Sequence, residues 1–176
     1  MKIQTVGIDL AKDVFQIHAV DKHGHTVLQK RLSRKKLMPF CATLPSCTIG
    51  IEACSSSSYW ARQLQSLGHE VRQISPQYLK PYVKTNKNDQ NDAEAICEAV
   101  TRPNMRFVST KTIEQQDIQA IHRIRGRLVR VRTALINQTR GLLREYGVFL
   151  PLSRAAFKAR IGDVLESAGI NGVSID

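Results

Sequence analysis

Up to Ser75 the hydrophobic positions fall in short blocks separated by polar turn residues, the spacing of strands and brief helices. Ile3 to Ile8, Val14 to Val20 and Thr26 to Leu32 each read as a strand rich in β-formers. Asp9 ends the first, and Asp21 to His25, containing Gly24, makes a turn between the second and third. Together they predict a three-stranded antiparallel meander. Ser33 opens a basic helix to about Ala42, with Leu37 and Phe40 as its apolar contacts. Cys47 to Ala53 contains Thr48-Ile49-Gly50-Ile51, which suits a strand buried on both faces, and it runs into Glu52. Ser55 to Ser58 offer N-caps for a helix through Tyr59, Trp60, Leu64 and Leu67, closed by Gly68. Glu70 to Ser75 is a further strand, stopped by Pro76.

Beyond Pro76 the pattern changes. Gln77 to Lys87 reads as a loop in which Lys80, Lys84 and Lys87 alternate with Tyr78 and Tyr82, a composition that fits a nucleic-acid backbone and a solvated loop equally. A helix from about Asn88 to Thr101 follows, then Pro103 and the extended Arg106-Phe107-Val108. From Ile113 to Tyr146, Ile118, Ile121, Leu128, Val131, Leu135, Leu142 and Tyr146 recur at threes, fours and sevens. So narrow an apolar stripe predicts a coiled-coil seam or helical hairpin, with Gly126 and Gly141 its weak points. Pro151 and Ser153 begin another helical pattern, Ala155 to Ala168. The organisation expected is a domain over 1–110, a long helix over 111–147 and the start of a further region over 148–176.

Charge sharpens this picture. The chain has 26 Lys and Arg against 15 Asp and Glu, a net charge of +11 and a pI near 9.9, which points to a polyanionic partner. Arg123, Arg125, Arg127, Arg130, Arg132, Arg140 and Arg144 occupy the polar faces of the long helix, with no acid between Asp117 and Glu145. A solvated coiled coil normally mixes signs, so one-signed arginine indicates phosphate contact. Assembly into a homodimer or higher oligomer through the same helix is compatible with it. No apolar run reaches membrane-spanning length, and Met1-Lys2-Ile3-Gln4 lacks a signal-peptide core, so the expected location is cytoplasmic. Cys41, Cys47, Cys54 and Cys97 form no Cys-x-x-Cys pair and read as small core or subsurface residues; His23 and His25 read as turn residues rather than zinc ligands.

Four acids stand out in this basic chain. Asp9 and Glu52 each end a strand, where helix capping has no role. Asp89 and Asp92 lie three apart at a helix start, where they share a face but would also serve as ordinary first-turn acids. Three antiparallel strands, helix, strand, helix, strand and then helices is the element order of an α/β ribonuclease-H-like fold, a mixed sheet flanked by helices. There the first and fourth strands are neighbours, so Asp9 and Glu52 would share a cleft closed by the helix bearing Asp89 and Asp92. Carboxylates so gathered call for hard cations, Mg²⁺ or Mn²⁺, able to promote phosphodiester cleavage. Lys84 and Lys87 would lead substrate backbone toward them. Ser55 to Ser58 lack an activating base in sequence and fit turn and cap chemistry better than a nucleophile.

Gly7-Ile8-Asp9-Leu10-Ala11-Lys12, Gly50-Ile51-Glu52-Ala53 and Lys87-Asn88-Asp89-Gln90-Asn91-Asp92-Ala93-Glu94-Ala95 resemble the acidic motifs of the DEDD transposases of bacterial insertion sequences, relatives of the Piv-type DNA invertases. The similarity continues through Arg106-Phe107-Val108 and Arg132-Thr133-Ala134-Leu135-Ile136-Asn137-Gln138. It implies a RuvC-like catalytic domain in which Asp9, Glu52, Asp89 and Asp92 bind Mg²⁺ or Mn²⁺. It also implies action on DNA at element ends and target sites, and a structured guide RNA encoded by the element as a further partner. Two departures accompany it. Relatives often carry glycine soon after the glutamate, where this chain has Ser55 to Ser58, and the family's second, C-terminal domain, with its proposed nucleophilic serine, would be starting where this chain stops. The expectation is therefore a transposase N-terminal domain, the alternative a non-catalytic remnant that binds nucleic acid and dimerises. A sugar-kinase-like phosphotransferase, suggested by Gly-Ile-Asp-Leu alone, lacks a second glycine-rich phosphate segment and the length for two lobes.

Overall fold

The computed structural model describes residues 2–83 and 89–170, and the side chains of residues 89–90 and 168–170 are outside that description. Two compact units divide at Thr112 and Ile113. The first is built on strands β1 (Thr5–Asp9), β2 (Val14–Val20), β3 (Thr26–Ser33), β4 (Thr48–Glu52), β5 (Glu70–Ile74) and β6 (Phe107–Val108). Its helices are α1 (Arg34–Ala42), α2 (Ser57–Ser66), α3 (Pro76–Leu79) and α4 (Asp89–Val100).

The strands form one sheet in the order β3-β2-β1-β4-β5-β6. β1 pairs antiparallel with β2 and parallel with β4, β4 and β5 are parallel, and β6 adds antiparallel to β5. The order 3-2-1-4-5 with only the second strand reversed is that of the ribonuclease-H-like fold, as the element order predicts.

Alternation along each strand divides the sheet into two faces. One carries Val6, Ile8, Phe15, Ile17, Ile49 and Ile51, buried against Leu37 and Cys41 of α1 and Trp60, Ala61 and Leu64 of α2. Full burial of each large side chain contributes about 1.5–3 kcal/mol, which makes this layer the main source of stability. The other face carries Gly7 and Gly50, directly paired across β1 and β4, and α4 lies on them. A Cβ on Gly7 would stand 2.2 Å from the Ala93 carbonyl oxygen and 2.6 Å from the Cys97 amide nitrogen, so α4 rests on bare backbone. Gly50 admits Ile96 and Val100, which join Ile74, Leu79 and Ala99 in a second core.

Some local expectations change. The segment after Pro76 is not a loop throughout: Pro76 occupies the first turn of α3, and a 3₁₀ turn, Lys80–Tyr82, follows. Proline at a helix start costs no hydrogen bond, which is why a residue read as a strand stop also begins a helix. Among Ser55 to Ser58, none caps α2 through its side chain. Ser57 Oγ instead donates to the Cys54 carbonyl, and Ser58 Oγ accepts the Lys111 amide, tying α2 to the segment after β6. The β2–β3 turn is held by Asp21, whose carboxylate accepts the His23 and His25 amides. Cys41, Cys47 and Cys97 are buried and Cys54 is exposed; burial pushes the three inner thiols up to about 12, 11 and 12.

The second unit contains α5 (Ile113–Glu145) and α6 (Arg154–Ile170). The 33 residues of α5 make a rod of about 50 Å at 1.5 Å per residue. Ile118, Ile121, Ile124, Leu128, Val131, Leu135 and Leu142 remain 56–65% exposed along it. Gly147, at φ 75°, ends the helix, its amide bonded to the Arg144 carbonyl. Among the described residues no helix is long and apolar enough to cross a membrane.

Candidate functional site

Asp9 and Glu52 are the last residues of two parallel, adjacent strands. Ile8 pairs with Ile51, so the acids occupy the next positions in register, about one strand spacing of 4.8 Å apart. Each lies two residues beyond a glycine, Gly7 or Gly50, and so on the same face of the sheet as α4. Asp92 belongs to the first turn of α4, one residue before Ala93, whose carbonyl sits over Gly7. The contact that seats the helix therefore also brings its N-terminal turn over the ends of β1 and β4.

Asp9, Glu52 and Asp92 line a single cavity of about 570 Å³. Lys80 joins them from the 3₁₀ turn, and Leu79, Val83 and Ile96 supply apolar wall. Asp89 precedes Asp92 by three residues in α4, but its side chain lies outside the described residues, as do Lys84 and Lys87 entirely. Among the described residues, no three His, Cys, Asp or Glu side chains are gathered closely enough to hold a metal ion as they stand. The described acids line the walls of one cavity. As a donor set they are nonetheless all hard oxygen, the type that takes Mg²⁺ or Mn²⁺ in preference to softer metals.

Sequence proximity to Asp89 favours Lys84 and Lys87 over Lys80, yet it is Lys80 that lines the cavity. The distinguishing signal was Pro76, which starts the helix that turns Lys80 toward the acids. Of the arginines on α5, Arg123, Arg125, Arg127, Arg130 and Arg132 are exposed. Arg125 and Arg132, with Arg154, border an open groove of about 700 Å³ beside Ile121 and Leu128. Arg140 has a different task. Its guanidinium donates to the Pro151 and Leu152 carbonyls at 2.6 and 2.5 Å and stacks over Phe157, bracing the connection between α5 and α6.

The model of the IS110-type DEDD family, described as transposase, matches residues 6–148. A probable family 20 transposase of Pseudomonas aeruginosa is 52% identical over 166 residues, covering 94% of this chain and 49% of the relative. The transposase for insertion sequence element IS1328 of Yersinia enterocolitica is 47% identical over 156 residues, covering 89% of this chain and 47% of the relative. The chain thus spans about half the length of the curated relatives it matches. Among solved structures, T. thermophilus RuvC in complex with a Holliday junction substrate aligns at 9% identity and a TM-score of 0.42, over 61% of this chain and 100% of that one. With the family model covering most of its length, this chain belongs to the IS110-type DEDD transposase family.

Proposed function

We propose that this chain is the metal-dependent DNA-cleaving domain of a transposase, with Asp9, Glu52, Asp89 and Asp92 as ligands for Mg²⁺ or Mn²⁺. The observation that carries the reading is the convergence of Asp9, Glu52 and Asp92 from two strands and a helix on one cavity. Carboxylates placed together in a basic protein repel one another, and a divalent cation removes that cost. Such an ion, when bound, activates a water or hydroxyl and stabilises the leaving oxygen of a phosphodiester. The remaining roles fall to side chains. Lys80 attracts the scissile phosphate to the cavity, and Leu79, Val83 and Ile96 limit water on one side, which strengthens every charge interaction within. Lys84 and Lys87 guide the strand, and Arg123, Arg125, Arg127, Arg130 and Arg132 hold more distant phosphate. The exposed seam of α5 pairs with a second copy in a homodimer or larger assembly. Through the family resemblance, a structured guide RNA is proposed as a further partner.

The test is Mn²⁺ titration calorimetry together with cleavage of branched or single-stranded DNA, comparing the wild type with Asp9→Asn and Asp92→Asn. Each variant should lose at least about tenfold in metal affinity, the least that loss of even an outer-shell partner of a ligand costs. Unchanged affinity in both would reject the site. The second reading, a non-catalytic remnant that binds DNA and dimerises, draws on the exposed arginines and the exposed apolar seam of α5. It predicts DNA binding with no Mn²⁺-dependent cleavage.

A further inference from the structure

The row of residues that crosses the sheet at the acids continues past them. Asp9 pairs with Gln16 on β2, and Gln16 pairs with Arg31 on β3. Directly paired residues project from the same face. Arg31, Gln16, Asp9 and Glu52 therefore form one line across four strands, all on the α4 side. Two strand spacings put the Arg31 backbone about 10 Å from that of Asp9.

The row two residues further from the acids behaves differently. There His18, buried, is hydrogen-bonded to both Thr26 and Gln29, so that line of polar groups is closed by its own partners. In the outer row, by contrast, the Gln16 amide and Arg31 guanidinium have no hydrogen-bond or ion-pair partner among the described residues, Gln16 being half-buried and Arg31 exposed. A line of unpaired donors that begins at a cluster of acids has the chemistry of a phosphate track. Nothing on an ordinary solvated edge requires an amide and a guanidinium in register with the acids.

We infer that Gln16 and Arg31 position the backbone of a single DNA strand as it leaves the acid cavity across β2 toward the β3 edge. At about 3.4 Å per nucleotide of stacked strand, 10 Å is the reach of some three nucleotides. Arg31 holds a phosphate as a charged fork, and Gln16 donates to the backbone between it and the acids. The inference rests on the cleavage reading above for its direction, but the contact itself needs no metal.

The experiment is fluorescence anisotropy of a labelled single-stranded DNA oligonucleotide, in EDTA, over a range of salt. Arg31→Gln should weaken binding about tenfold at low salt and lower the slope of log affinity against log salt by about 0.7. Arg31→Lys should keep the slope and lose part of the affinity, and Gln16→Leu should lose affinity severalfold with the slope unchanged. Lys22→Gln, the same charge change at the opposite end of the β2–β3 hairpin, should leave the slope unaltered. An equal fall in slope for Lys22→Gln would reduce the effect to net charge and overturn the track. So would loss of binding confined to a matched RNA strand. Mn²⁺ affinity measured in parallel separates the two ideas: Arg31→Gln should leave it at the wild-type value, and a fall would mean that Arg31 acts through the acids. If Asp9→Asn leaves Mn²⁺ affinity unchanged while Arg31→Gln lowers the slope, the metal site fails and the track stands.

Discussion

Replacing Gly7 by alanine tests whether the bare glycine surface builds the site. The added Cβ would meet the Ala93 carbonyl oxygen at 2.2 Å, the Cys97 amide nitrogen at 2.6 Å and the Cys97 Cβ at 2.8 Å. None of these atoms can swing aside through a side-chain torsion, so α4 must lift by about 0.8 Å to restore 3.0 Å to the carbonyl. Overpacking of this kind costs about 1–3 kcal/mol, and the unyielding backbone places it at the upper end. Alanine recovers about 0.5–1 kcal/mol in a strand relative to glycine, leaving a net loss near 2 kcal/mol. With a urea dependence of about 2 kcal/mol per molar, the unfolding midpoint should fall by about 1 M. Gly50→Ala should cost less, since its nearest contacts are longer, Ile96 Cγ2 and Val100 Cβ at 3.0 Å and Val100 Cγ2 at 3.2 Å, and the two methyl groups can shift by side-chain rotation. Gly126→Ala, with nothing within 4 Å on α5, should stabilise its helix by up to about 1 kcal/mol. Because Asp92 rides on α4, Gly7→Ala should also weaken Mn²⁺ binding about tenfold in buffer where the protein is fully folded. A midpoint within about 0.2 M of wild type, with Mn²⁺ affinity intact, would show that the helix does not depend on this seat.

Three further outcomes follow from the rest of the molecule. At pH 8 a thiol reagent should modify Cys54 rapidly and Cys41, Cys47 and Cys97 only on unfolding, because burial pushes those three to about 12, 11 and 12 and keeps them protonated; two or more fast thiols in the native protein would contradict the packing. Leu128→Asp, in the middle of the exposed seam, should weaken self-association in sedimentation velocity at least about tenfold, since burying one such side chain is worth roughly 1–2 kcal/mol at its 63% exposure and a dimer contains two; a wild type that stays monomeric at high concentration would reject the seam as an interface. Arg125→Glu with Arg132→Glu should lower the salt slope of duplex binding by about 2, whereas Arg140→Gln should leave it alone and loosen the α5–α6 connection, seen as lost helical signal on mild heating.

The order of strands and helices is legible in the residues because each boundary coincides with a local physical cause. Gly24 and Gly68 take positive φ where turns were expected, and Gly147 does so where the long helix ends. Less legible were features that depend on partners distant in sequence. β6 is only Phe107–Val108 and becomes a strand by pairing with Gln73 and Ile74, a contact no local pattern announces. Ser58 looked like a cap and instead accepts the Lys111 amide, and Arg140 looked like its phosphate-facing neighbours until Pro151 and Leu152 supplied their carbonyls. Lys80 is the same case at the site, placed by a short helix whose proline had two readings. The acids Asp9, Glu52 and Asp92 were legible together because a parallel β1–β4 pair leaves two strand ends side by side.

The glycines explain why these acids carry the neighbours they do. Gly7-Ile8-Asp9 and Gly50-Ile51-Glu52 repeat one design in adjacent strands: a glycine, a core isoleucine, and an acid on the glycine's face. Ile8 and Ile51 point to the opposite face, where both are fully buried and anchor the strands. The glycines remove two side chains at the same height, so α4 can settle directly on the sheet. The acids, one step further on the same face, then emerge at the N-terminal turn of that helix, whose positive dipole end favours carboxylates gathered there. Restoring a side chain at Gly7 would separate the strand acids from Asp92 without touching a carboxylate. The spacing Gly-x-Asp beside Gly-x-Glu therefore specifies a helix position as much as it places two carboxylates, and a variant that keeps all four acids but fills the Gly7 surface should fold with α4 displaced from the ends of β1 and β4.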